Sequence, residues 1–168
     1  MEKEKVDFKR WLEKLAKKED VKLKEIRFIS NDYVARAKKD TITIPLELFS
    51  PSFKQVERQT VGAHELAHLK YRHVSNRLLW HHRRHPTRYR FNCEFQADRF
   101  AANVSSPAAM IRALEKGEKL REKWRKKNRI WRVRIWWRLK SDTHPSMKER
   151  KKCLQKLIPK YRRRRRNR

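Results

Sequence analysis

The sequence predicts an α+β fold, mainly helical, with a small antiparallel three-stranded sheet packed on one central helix. Two observations carry that expectation. Apolar residues recur at helical spacing in four or more long, charged stretches, and three short alternating stretches with turn signals between them fall within residues 23–44. A third observation picks out the central helix: between Val61 and His73 stands the pattern His-Glu-x-x-His, at His64, Glu65 and His68.

Residues 3–18 read as an amphipathic helix, with Val6, Phe8, Trp11, Leu12 and Leu15 on one stripe. Residues 23–29 alternate as a strand does. Asn31-Asp32 signals a turn, residues 33–37 a second strand, Lys39-Asp40 a tight turn, and Thr41 to Ile44 a third strand. Pro45 limits that strand's last pairing, which suits a sheet edge. Ser52 is an N-cap candidate for a helix over residues 53–73. Gly62 inside it costs about 1 kcal/mol relative to Ala, explained by close packing against a neighbour or by simple tolerance.

Residues 74–91 contain no acid and read as a basic surface segment. The His81, His82 and His85 cluster there is set aside as a metal site, because adjacent residues on a helix do not face each other. A helix over 92–103, capped by Asn92, follows. Pro107 opens a further helix-forming stretch to about Lys140, in which residues 115–140 form a basic, Trp-rich segment. Between Lys123 and Lys140 there are nine Lys or Arg and no acid. A last helix spans 146–157. The expected organisation is one domain over 1–157 and a basic, disordered tail over 158–168.

The 168 residues carry 48 Lys or Arg against 19 Asp or Glu, a net charge of +29, which attracts polyanions such as nucleic acid or an anionic membrane surface. Cys93 and Cys153 make no disulfide framework and fit a reducing, cytoplasmic setting. No apolar run is long enough for a transmembrane helix. Attachment at a membrane surface through the Trp and Arg segment stays open, and oligomeric state is not legible.

Residues four apart on a helix share a face, so His64 and His68 can offer two imidazoles to one metal ion. Glu65 is placed to take a proton from a water that the metal activates. In one large class of zinc peptidases the third ligand is a His six residues after the second; here that position is Val74, and the expected intervening Gly is Tyr71. His73 is no substitute, since nine residues beyond His64 is about half a rotation. The first acid downstream is Glu94, and Asp98 lies one turn further on. A ligating Glu with an Asp that accepts from a ligating His makes a sensible metal site.

Three blocks stand in order: His-Glu-Leu-Ala-His from His64, Glu-x-x-x-Asp-Arg-x-Ala-Ala from Glu94, and Thr-His-Pro-Ser-x-x-x-Arg from Thr143 to Arg150. Together they resemble the gluzincin peptidases of the HtpX and CAAX-prenyl-protease type. The lack of spanning helices is closer to the small soluble minigluzincins. The resemblance implies one catalytic zinc ion held by His64, His68 and Glu94, with Glu65 as general base and Asp98 orienting His64. It places His144 near the cleft as an oxyanion donor, with Arg150 as an alternative donor or a structural residue. A peptide or protein substrate is expected to pair, extended, with Thr41, Ile42, Thr43 and Ile44. The expected function is a zinc metalloendopeptidase. The alternative is a polyanion-binding protein with a latent or vestigial site, and a basic C-terminal region folded over the cleft would make the chain a zymogen.

Overall fold

A computed structural model describes residues 1–30, 34–73, 86–127 and 145–166. Helix α1 (Glu2–Lys18) leads to strand β1 (Glu25–Ile29), β2 (Arg36–Lys38) and β3 (Thr41–Pro45), then a 3-10 turn at Leu46–Phe49. Helices α2 (Gln55–Lys70), α3 (Pro86–Val104), α4 (Pro107–Lys127), α5 (Met147–Gln155) and α6 (Ile158–Arg166) follow. The architecture is mainly helical with one three-stranded sheet, as the α+β expectation has it.

The sheet differs from the expected antiparallel one. Its order is β1-β3-β2, with β1 parallel and β2 antiparallel to β3. The tight turn at Lys39 and Asp40 makes β2 and β3 a hairpin, and Lys39 takes the left-handed φ of 57° that the turn requires. β1 is not part of that hairpin. It takes the other side of β3 in parallel, Glu25 opposite Thr41 and Ile29 opposite Pro45. Pro45 thus ends a central strand, not an edge, and its missing N–H falls where the ladder stops. Thr41, Ile42 and Thr43 are paired on both sides and Ile44 with β1 alone, so β3 is a central strand with little free backbone for an incoming peptide. That role falls away, and the free edge beside α2 belongs to β2.

The core lies between the sheet, α1 and α2. Phe8, Leu12, Leu15 and Ala16 are the buried face of α1, while Val6 is exposed. Gly62 shows why α1 sits so close to α2. A Cβ there would stand 2.8 Å from Phe8 Cζ, closer than carbon atoms pack. Phe8 in turn meets Phe49 edge-on, ring centroids 5.6 Å apart. Close packing, not tolerance, accounts for this glycine.

Helix α2 begins at Gln55, later than expected. Glu57 accepts the Lys54 N–H at 2.9 Å, closing the first turn as a capping residue does. Glu57 is fully buried, and Arg112 and Lys116 of α4 donate to it at 3.1 and 2.5 Å. Those bonds fasten α4 to the start of α2. Helix α3 starts at Pro86, six residues before the expected Asn92. Ser146 caps α5: its Oγ accepts from Glu149 N at 3.3 Å, and Glu149 accepts from Ser146 N at 2.8 Å.

Residues 158–166 are helical where the sequence reads as a disordered tail. Lys and Arg are good helix formers, and the Tyr161 hydroxyl donates to the Ser105 carbonyl, tying α6 back to the junction of α3 and α4. Among the described residues no helix is long and apolar enough to cross a membrane. The His81–His85 cluster, the Trp-rich part of the segment beyond Lys127, and His144 lie outside the described residues.

Candidate metal centre

Helices α2 and α3 pack side by side and face their polar residues towards each other. α2 carries His64, Glu65 and His68 on the turn that meets α3, and α3 answers with Glu94 and Asp98. Small residues make the approach close: Ala63, Ala67, Ala97 and Ala101 are all fully buried. Five polar side chains are thereby enclosed in a helix–helix seam, an arrangement that is costly unless they satisfy one another or hold an ion.

His64 Nε2 and His68 Nε2 lie 3.1 Å apart. His64 Nε2 is 3.6 Å from Glu94 Oε2, and His68 Nε2 is 3.6 Å from the other oxygen, Oε1. His64, His68 and Glu94 together could hold a metal ion, one ligand atom from each lying within 4.8 Å of the others. Zinc–ligand bonds of about 2.0–2.1 Å in tetrahedral array place neighbouring ligand atoms about 3.3 Å apart. The three observed separations bracket that value, so the donor set fits zinc in both chemistry and spacing.

The remaining contacts fix these ligands. Asp98 Oδ1 lies 3.0 Å from His64 Nδ1. Arg150, from α5, clasps Asp98 in a two-pronged contact, with Nε 2.8 Å from Oδ2, and its Nη1 reaches Glu94 Oε2 at 3.4 Å. The guanidinium is therefore already engaged by two buried carboxylates.

His73 is the residue that helical extrapolation misplaces. α2 stops at Lys70, and Arg72 adopts a left-handed φ of 54°. His73 N then donates back to the His68 carbonyl at 2.9 Å, a Schellman-type turn without its usual glycine. The turn swings His73 under the helix end. Its Nδ1 lies 3.0 Å from His68 Nδ1, and its Nε2 lies 3.2 Å from Gln96 Oε1. His73 is not among the converging ligands, but it holds the far side of one of them. An Arg at the turn position concealed this from sequence.

Burial and charge set the titration of the metal-free site. For His64, burial disfavours the cation, but Asp98 and Glu94 outweigh it and push the pKa up to about 10. Burial and the positive charge of His64 hold His68 down at about 3. Burial, helped by the Glu94 charge, raises Glu65 to about 7, against His64, Arg150 and the Ala37 backbone amide. Asp98 sits below its usual range: Arg150 and His64 overcome its burial. A buried carboxyl raised towards neutrality beside two imidazoles that could hold a metal is the kind of arrangement found at functional sites.

The model for the IrrE N-terminal-like domain of the M78 peptidases matches residues 16–133. The chain belongs to that family. Membership points to a metallopeptidase-like or regulatory function. The matched stretch contains the whole sheet, α2 and α3, and hence His64, Glu65, His68, Glu94 and Asp98. It ends before α5, so Arg150 and the closing block from Thr143 lie beyond it. Neither a curated protein nor a solved structure matches the chain.

Proposed function

We propose that the chain is a zinc-dependent metalloendopeptidase of gluzincin type, with His64, His68 and Glu94 as ligands. The observation that carries the proposal is the convergence of the two Nε2 atoms and the Glu94 carboxylate at tetrahedral spacing. The HtpX-like closing block supports the same reading through Arg150, which grips Asp98 and Glu94 together. Zinc in such a site supplies a Lewis acid that acidifies water and polarises a carbonyl.

Glu65 takes the proton of the attacking water and returns one to the leaving amine. Its position supports that role: it follows His64 on α2 and is buried, with a pKa near the working pH. Asp98 keeps the His64 Nδ1 side in place and His73 does the same for His68. Arg150 is a positioning residue, balancing the charge of the two carboxylates. His144 supplies the oxyanion donor in this reading. An extended substrate adds to the free edge of β2, Arg36–Lys38, whose Ala37 amide lies against Glu65. Wild type and Glu65→Gln, assayed together for zinc content and for cleavage of an unfolded protein, test the proposal. Retained zinc with cleavage lost supports it; undiminished cleavage by the variant refutes it.

A further inference from the structure

The charge is distributed unevenly. Residues 74–168 hold 31 of the 48 cationic residues and 7 of the 19 acidic ones. In the described part of that stretch two groups of cations stand out, besides the exposed Arg99, Lys119, Lys123 and Lys126 on α3 and α4 and Arg121, which pairs with Glu118. Arg112, Lys116, Lys151 and Arg150 point inward or sideways and meet Glu57, Glu115, Glu94 or Asp98. Lys148, Lys152, Lys156, Lys160, Arg162 and Arg163 are exposed, and none pairs with an acid among the described residues.

The fold arranges this second group. α5 packs its Arg150 and Leu154 side against α3 and α4. Lys148, Lys152 and Lys156 recur every four residues and so stand together on the outer side, about 6 Å of rise apart. Lys160, Arg162 and Arg163 continue the surface on α6, which Tyr161 ties to Ser105. Between Ser146 and Arg166 the single acid is Glu149, and its carboxylate is occupied by the Ser146 N–H and hydroxyl. By contrast, the Lys residues of α1 are interleaved with Glu2, Glu4, Asp7 and Glu13.

We infer that the outer face of α5 and α6 binds the phosphate backbone of duplex nucleic acid without regard to sequence. A rigid row of unpaired cations is the footprint of such binding. A membrane surface would call for apolar side chains beside the charges. The exposed large hydrophobic residues among those described are Met1, Val6 and Val34, none of them on these helices. The inference stands apart from the peptidase reading, since none of the six cations touches the metal centre.

The test is fluorescence anisotropy of a labelled 20-base-pair duplex, as DNA and as RNA, titrated with the full chain from 50 to 200 mM KCl. Six phosphate contacts predict a log–log salt slope of about −5. Replacing Lys148, Lys152, Lys156 and Lys160 together by Ala should make the slope shallower by about 3 to 4. Replacing Lys3, Lys9, Lys14 and Lys17 by Ala removes the same charge from α1 and should leave the slope within about one unit of wild type. All eight side chains are exposed, and circular dichroism checks that both variants fold. Equal losses in the two variants would show net charge alone at work and overturn the inference. So would no duplex binding at 50 mM KCl, or capture by phosphatidylserine vesicles at concentrations where neither duplex binds.

Discussion

Asp98→Asn separates the electrostatic role of Asp98 from its shape. Asp98 and Glu94 hold His64 protonated up to about pH 10 in the metal-free protein. A pKa raised from 6.5 adds stability that is fully present below 6.5 and is lost as pH rises through about 10. Zinc requires the neutral imidazole, so binding must displace that proton. At pH 8 His68 is already neutral, and Glu65, near 7, is mostly ionised. His64 therefore contributes about one proton per zinc to the release, beside any from the water that zinc acidifies. Without the Asp98 charge the His64 pKa falls, with Glu94 alone left to raise it, and the release becomes smaller. Affinity should still weaken about 10- to 100-fold, about 1.4–2.8 kcal/mol, because the support for His64 is lost. Arg150 is left with Glu94 alone, at a cost of up to about 3–5 kcal/mol, so urea unfolding defines where the variant is native. Calorimetry at pH 8 in buffers of different ionisation enthalpy reads the proton count directly. An unchanged count together with unchanged affinity would refute the reasoning.

Further outcomes are expected elsewhere in the molecule. His73→Phe keeps the volume but removes the contact to His68, so zinc affinity should fall about tenfold while the urea midpoint stays close to wild type; unchanged affinity would show that His73 only fills space. Gly62→Ala gains about 1 kcal/mol of helix propensity but forces a Cβ against Phe8, at about 1–3 kcal/mol. Net destabilisation is expected, relieved by adding Phe8→Leu, and a double-mutant urea cycle showing no coupling between the two sites would contradict the packing account. Glu57→Gln weakens the bonds from Arg112 and Lys116 to a buried carboxylate and should cost about 1.5–3 kcal/mol. A urea midpoint equal to wild type would place the α2–α4 connection elsewhere.

The helices before residue 158 were legible because their signals are local. Phe8, Leu12 and Leu15 form a stripe, and His64 and His68 a one-turn pair. Glu94 and Asp98 were legible for the same reason, since their four-residue spacing survives wherever the helix begins. Sheet order was not: alternation names the faces of a strand but not its neighbours. The parallel pairing of β1 with β3 puts β3 in the centre of the sheet, which moved the free edge from Thr41–Ile44 to Arg36–Lys38. His73 was hidden by a left-handed Arg72, where sequence reasoning looks for Gly. The grip of Arg150 on Asp98 spans 52 residues, and the spacing within the closing block gave no partner for it.

The central claim is that the seam between α2 and α3 is a hydrolytic zinc site. Zinc stoichiometry and zinc-dependent cleavage of an unfolded protein, measured by mass spectrometry of new termini on wild type and Glu65→Gln, test it most directly. The account predicts one zinc per chain in both proteins, and new termini from wild type alone, reduced at least about 100-fold in the variant. Chains that bind no zinc, or equal cleavage by the two proteins, would contradict it.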